Sequence, residues 1–400
     1  MMKHILIVGG IPLVPRELKA YPNTKMTLMI KLDEIDQQDL NCFHRVINLP
    51  KDASTNEWIA TASFINKMDS FQAIACFDEM NQHITSVIAN EIKLPFHSED
   101  TINNTRDKYR MRKLLHENGI DNTSFEIVNN MEDIISFVKD FGYPIILKPK
   151  NGWASKGVSV IRKEEDIIPA INWYKEEVKE NELYLEKFLS GQEFSVEAFS
   201  ENGKHKIVCL TKQFNDNDHM IEVGHVIPAT IKEDDEILIK NLLNSVLDAL
   251  DIKNGPSHTE IILTDEGPRV VETHVRLAGD LIPDLINIAS GTNLYELWAR
   301  QILGEKVLEE LEKVNFDKYT SIWFKMSEAK GVLVDVIGVE EIKSRAGVER
   351  VYTWKKGSTL KGLQHSFSRT GYVISSSASE FDAVELAKSS VESIRFLVEC

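Results

Sequence analysis

The strongest constraint in this 400-residue chain is a pair of short runs around one turn. Thr259-Glu260-Ile261-Ile262-Leu263-Thr264 and Pro268-Arg269-Val270-Val271-Glu272-Thr273 flank Asp265-Glu266-Gly267. Apolar runs separated by Asp and Gly predict antiparallel strands joined by a tight turn. Each strand carries one glutamate, and antiparallel pairing lets the two side chains meet on one face. Buried like charges repel unless a cation sits between them. Mg2+ is the natural candidate, because it takes carboxylate oxygens together with phosphates. In Glu272-Thr273-His274-Val275-Arg276, residues 272, 274 and 276 share one face of an extended strand. The competing reading is a solvated strand face with alternating charges.

Length and charge limit the rest. At about 150 residues per domain the chain holds two or three domains. Forty-six basic and 62 acidic residues give a net charge of −16. That argues against a nucleic-acid binder, whose footprint is a basic surplus. Ile5-Leu6-Ile7-Val8 is stopped by Gly9-Gly10 and is too short to span a membrane. No small-residue cleavage site follows it, so a cytoplasmic protein is expected. Cys42, Cys76, Cys209 and Cys400 form no CxxC pair, which fits reduced thiols and gives no zinc framework.

The N-terminal stretch, about residues 1–100, reads as an α/β unit. Ile5–Val8 and Ala73–Phe77 are buried-strand patterns, and helical patterns run from Glu57 to Met68 and from Ile84 to Ile92. Such alternation predicts a parallel sheet covered on both faces. From 101 to 305 the pattern becomes α+β. Asp107–Asn118 is a charged amphipathic helix, and strands are expected at Ile145–Lys148, Val158–Ile161, Leu183–Glu186 and Phe194–Phe199. The last of these alternates, so its two faces should differ. Helices are expected at Asp234–Leu250 and Leu294–Leu303. Residues 306–400 look like an appended β-rich piece with a closing helix from Glu380 to Leu397.

Lys148 ends one predicted strand, and Asn151-Gly152-Trp153-Ala154-Ser155-Lys156-Gly157 follows. Small residues let backbone N–H groups approach a phosphate, and lysines supply charge. The run is not a GxxxxGK[ST] loop, and a polar turn explains it equally well. Glu186 could accept from a nucleotide amino or hydroxyl group, although an isolated Glu is usually just exposed.

In this order the clusters resemble the ATP-grasp superfamily of carboxylate–amine ligases, over about Lys108 to Gly279. Within it the chain looks most like the L-amino-acid ligases, which make dipeptides. That likeness rests on Glu222-Val223-Gly224-His225-Val226-Ile227-Pro228, Ser257-His258-Thr259-Glu260, Arg276-Leu277-Ala278-Gly279 and the extension after residue 306. The resemblance implies a parallel-sheet first domain (1–100), an ATP-grasp core with a flap subdomain (about 115–188) and a metal and substrate subdomain (about 189–305), and a C-terminal domain (306–400). It implies that Lys108 and Lys148 hold ATP phosphates, with Ser155, Lys156 and Gly157 in a mobile flap above them. Glu186 and the backbone of Lys187 and Phe188 would receive adenine, and Glu193 the ribose. Glu260 and Glu272 would carry Mg2+, with Mn2+ able to substitute. Arg276 would steady the acyl phosphate, and Glu222, His225, His258 and Gly279 would face the amino acids. His274 stands where the superfamily commonly has Asn, which puts its service as a metal ligand in question. A homodimer with ATP and two amino acids as its small-molecule partners is expected.

Three rivals were weighed on the residues. A carboxylase would need bicarbonate and usually a biotin carrier, and no Met-Lys-Met attachment sequence is present. A non-catalytic nucleotide sensor would not need Lys148, Glu260, Glu272 and Arg276 together. A dehydrogenase lacks its GxGxxG fingerprint, since Val8-Gly9-Gly10 departs from it.

Overall fold

A computed structural model describes residues 2–10, 13–35, 37–152, 156–178, 182–216, 221–363 and 365–399. The chain begins with four parallel strands, β1 (Lys3–Val8), β2 (Thr24–Lys31), β3 (Arg45–Leu49) and β4 (Ala73–Ala75), in the order β3-β2-β1-β4. Ile5 to Val8 are all buried, which a parallel sheet requires because its crossover helices cover both faces. The helix Thr55–Met68 starts at a capping box of Ser54 and Glu57. The helix Gln82–Ile92 follows β4.

The second sheet is antiparallel and small. It consists of β5 (Phe125–Val128), β6 (Ile145–Lys148), β7 (Ser159–Ile161) and β8 (Leu183–Lys187), in the order β5-β8-β6-β7. Helices Met131–Phe141 and Ile167–Glu177 bury Phe137 and Tyr174 against Leu147 and Leu185. Trp153, Ala154 and Ser155, in the loop between β6 and β7, lie outside the described residues.

The largest sheet has eight strands. It takes in β9 (Gln192–Glu201), β10 (Lys204–Asp216), β11 (Ile221–Ile227), β12 (Gly255–Thr264) and β13 (Gly267–His274). Beyond residue 306 come β14 (Tyr319–Lys325), β15 (Lys330–Ile337), β16 (Val348–Thr353), β17 (Thr359–Lys361), β18 (Gly371–Ser377) and β19 (Arg395–Glu399). The large sheet runs β13-β12-β9-β10-β11-β14-β18-β16. Three C-terminal strands therefore continue the central sheet, while β17-β15-β19 form a separate one. The helix Glu380–Ser393 ends four residues before the predicted Leu397. The rest of that prediction is corrected to β19, whose alternating burial is that of a half-covered edge strand.

Both faces of β9 are buried. They differ in chemistry. Phe194, Val196 and Ala198 join Ile261 and Val270 against Ile239, Leu243 and Val246 of the helix Glu233–Ala249. Each fully buried aliphatic side chain there contributes about 1.5–3 kcal/mol. Glu193, Ser195 and Glu197 take the alternate positions and face away from that helix.

Candidate active site

Register assembles the polar face. His258 pairs with His274 and Glu260 with Glu272 across β12 and β13. On the other side of β12, His258 pairs with Glu197 and Glu260 with Ser195. The two predicted metal glutamates are thus direct cross-strand neighbours, the arrangement that requires a compensating cation.

Two histidines and a lysine supply charge there. His258 sits with Nδ1 2.8 Å from Glu197 Oε1 and Nε2 3.4 Å from Glu260 Oε1. Burial alone would lower its pKa, but Glu197 and Glu260 outweigh burial and push it up to about 10. His274 bridges in the same way, with Nδ1 3.1 Å from Glu79 Oε2 and Nε2 3.2 Å from Glu272 Oε1. Its pKa is raised, because Glu272 and Glu79 together outweigh burial. Both ring nitrogens of His274 thus face carboxylate oxygens. The two rings stack with centroids 6.0 Å apart.

Lys108 is the first residue of the helix Lys108–Glu117, which Asp107 caps at the Arg110 N–H. Its ammonium lies 2.5 Å from Glu272 Oε2 and donates to the Gly152 carbonyl at 3.1 Å. Its backbone N–H donates to Lys150 O at 3.0 Å. One residue thereby ties the flap loop to β13. Burial opposes ionisation of Glu272, yet Lys108 and His274 hold it well below the usual carboxylate range.

Arg276 follows β13 and donates from Nε and Nη2 to Glu79 Oε2, at 3.3 and 3.1 Å. Glu79 comes from the loop after β4. Against burial, His274 and Arg276 hold its pKa down at about 2. The first domain thus contributes a carboxylate to the row.

Lys148 and Glu186 form a separate, deeper group. Glu186 is 2% exposed. It accepts from Lys148 Nζ at 2.7 Å, from Arg112 Nε and Nη2 at 3.0 and 3.2 Å, and from the Tyr184 hydroxyl. Arg112 also donates to Val270 O at 2.6 Å and pairs with Asp121 at 3.1 Å. Burial raises the cost of charge on Glu186, but Arg112 and Lys148 hold it at about 2. Lys148 is lowered, since burial and its cationic neighbours Arg112 and Lys108 outweigh Glu186. The expectation that Glu186 is a free acceptor meets a carboxylate already fully partnered. The N–H groups of Lys187 and Phe188 are likewise committed, to Ser124 O at 2.9 Å and Pro144 O at 3.3 Å. Lys156 is half-buried, and Gly157 takes a positive φ of +70°.

The third group lies along the same sheet face. Asn215 of β10 pairs in register with Glu222 of β11 and donates to Glu193 of β9. Burial, with Glu260 and Glu222 as like-charged neighbours, pushes Glu193 up to about 8. Burial also raises Glu222, with Asp280 adding to it, and Glu222 accepts from Ser366 Oγ at 2.9 Å. His225 Nε2 lies 3.1 Å from Asp280 Oδ2, and its buried Nδ1 has no partner. Arg369 grips Asp280 through Nη1 at 2.7 Å and through Nη2, and its guanidinium lies 3.8 Å over the Phe324 ring. Gly279 faces open space where a Cβ would project.

Reading along the sequence missed Arg112, Asp121, Asn215, Asp280 and Arg369. Asp280 directly follows the Arg276-Leu277-Ala278-Gly279 run and was within reach of it. Arg112 and Arg369 carry no local signal, because their partners lie 74 and 89 residues away.

Glu260 and Glu272, cross-strand neighbours that offer carboxylate oxygens, fit a hard divalent cation. Among the described residues no group of three or more His, Cys, Asp and Glu forms a ready cage.

Residues 141–284 match the ATP-grasp domain, and residues 323–399 match the L-amino acid ligase C-terminal domain 2. The alanine–anticapsin ligase of Bacillus subtilis is 25% identical over 209 residues, covering 46% of this chain and 43% of that protein. The D-alanine–D-alanine ligase of Flavobacterium johnsoniae is 27% identical over 211 residues, covering 50% of this chain and 64% of its own length. The chain thus spans less than two thirds of these curated relatives. The crystal structure of an L-amino acid ligase from Bacillus licheniformis superposes with a TM-score of 0.85 at 21% identity, over 100% of this chain and 99% of that one. The chain thus carries an ATP-grasp domain over residues 141–284 and, over residues 323–399, a match to the L-amino acid ligase C-terminal domain 2.

Proposed function

We propose that this protein is an ATP-dependent carboxylate–amine ligase that joins two amino acids into a dipeptide and releases ADP and phosphate. One observation carries the reading. Lys108, Glu260, Glu272 and Arg276 converge beneath the flap loop, and Glu79 of the first domain closes the row.

A carboxylate is a poor electrophile at neutral pH. Its oxygen attacks the γ-phosphorus of ATP, the bond to the β-bridging oxygen breaks, and ADP leaves. The amine nitrogen of the second substrate then attacks the acyl carbon, inorganic phosphate departs and the nitrogen loses a proton. Such chemistry needs alignment and charge neutralisation more than side-chain covalency. Bound Mg2+, carried by Glu260 and Glu272, would neutralise phosphate charge. Lys108 leaves Glu272 for the phosphates, while Lys148 offers a second ammonium from β6. Arg276 neutralises the transferred group and the oxyanion that follows, at about 3 kcal/mol for a preorganised donor. The flap loop excludes water, which would otherwise hydrolyse the acyl phosphate.

The ADP and MgADP of solved relatives support the nucleotide part of this reading. Glu222, His225, Asp280 and Arg369 are proposed to line the amino-acid pocket, with carboxylates for an ammonium and a guanidinium for a carboxylate. The test is a phosphate-release screen over pairs of the common amino acids, with products identified by mass spectrometry. Release that depends on two amino acids and yields their condensed mass is expected. Release with bicarbonate alone would move the assignment to the carboxylase side.

A further inference from the structure

A cleft of about 460 Å3 lies away from the carboxylate row, between the edge of the first domain's sheet and the start of β12. Gln72 to Cys76, all of β4 and a residue either side, line one wall. Among the described residues β4 pairs only with β1, and its outer backbone edge has no ladder partner. The facing wall is apolar, with Phe96, Trp298 and Ile302.

Three polar groups line this cleft without a hydrogen bond or ion pair among the described residues: the Lys3 ammonium, the His97 ring and the Trp298 N–H. Trp298 is only 8% exposed and packs edge-on against Phe77 at 4.8 Å. A Cβ on Gly255 would stand 3.8 Å from both His97 Nε2 and Trp298 Nε1, so these two nitrogens converge over one glycine. Lys3 and His97 are only partly buried, so both stay open to a partner that enters the cleft. Charge is also unbalanced. Lys253 and Asp251 pair at 2.5 Å and cancel, which leaves Lys3 as the uncompensated charge.

The matching ligand has one negative charge for Lys3, an acceptor for the indole N–H, and a flat or branched apolar body for the aromatic wall. We infer that this cleft is a second ligand site, which takes a small aromatic or branched monocarboxylate. Its volume falls within the roughly 300–1,000 Å3 of small-molecule pockets. The site also touches both segments that build the carboxylate row. Val275 lines it from between His274 and Arg276, and β4 leads directly into Glu79. Gln82 Nε2 fixes the Val275 carbonyl at 3.0 Å. An occupant would lie against the backbone that leads into the Glu79–His274–Arg276 contacts, and the binding itself does not rest on the proposed ligase reading.

The test uses the full chain without nucleotide. Phenylacetate and 4-methylpentanoate are titrated calorimetrically, with benzylamine as the cationic control. Saturable binding of at least one carboxylate and none of benzylamine is expected. K3M should weaken it about tenfold, as loss of a charge-assisted contact does, and K3R should largely restore it. I302W should fill the cleft and remove binding. K3M should leave amino-acid-dependent phosphate release unchanged when no carboxylate effector is added. No saturable binding of either carboxylate to the wild-type chain overturns the inference, as does equal binding to wild type, K3M and I302W. Absence of ligase activity in every amino-acid pair would sink the functional reading and leave this binding test intact.

Discussion

At the scale of residues, the row is a set of shared charges, so single removals are not local. Glu272 faces both Lys108 and His274, and Arg276 pairs with Glu79. Glu272→Ala or Arg276→Ala is expected to cut amino-acid-dependent ADP release by about 10²–10³-fold or more, with near-ultraviolet circular dichroism unchanged. Near-wild-type turnover in either variant would contradict the assignment. Arg112 is a different case, because it is fully buried and holds Glu186 and Asp121. Arg112→Met leaves two buried carboxylates short of a partner and should cost about 3–5 kcal/mol in urea denaturation. Glu186 also sets a pH dependence. Its folded pKa of about 2 lies below its ordinary 4.5, so its stabilisation is complete above about 4.5 and is lost as pH falls towards 2. Acid titration of stability should show that loss in the wild-type chain and a weaker slope in Glu186→Gln.

At the scale of elements, two close approaches fix the central sheet. A Cβ on Gly191 would collide with the Leu263 carbonyl, and one on Gly224 with the Trp323 ring. Gly191 lets the strand pair β9–β12 begin beside Leu263, and Gly224 lets β11 lie against β14. Gly224→Ala should lower the urea midpoint at an unchanged m-value, by about 1–3 kcal/mol, as overpacking does. A midpoint equal to that of wild type would show that Trp323 moves aside freely. The elements most legible along the chain were those with a strong period or a strong punctuation. The β12–β13 hairpin, the helix Lys108–Glu117 and the strand Ile145–Lys148 all fall where their patterns place them. β2 and β10 were not read, because lysines interrupt their apolar patterns, and most of β19 was read as the end of the closing helix.

At the scale of the whole molecule, the C-terminal strands β14, β18 and β16 complete the sheet that carries the row, and Arg369 from the same region holds Asp280. A chain ending after residue 317 would expose the edge of β11 and remove Ile322 and Ile374 from the main apolar cluster. Such a truncation should lose cooperative unfolding, and a sharp thermal transition at the wild-type temperature would show the region to be dispensable. Among the described residues no helix is long and apolar enough to cross a membrane. The sequence by itself determined the hairpin glutamates, the facing of 272, 274 and 276, the order of the α/β and antiparallel parts, and the resemblance those motifs carry. These are local properties, set by side-chain period and turn chemistry within a few residues. Only the tertiary structure decided that Glu79 joins His274 and Arg276, that Arg112 occupies Glu186, and that residues beyond 318 close the central sheet. Those contacts join residues tens to hundreds of positions apart, where burial and charge balance choose the partner and no pattern along the chain records the choice.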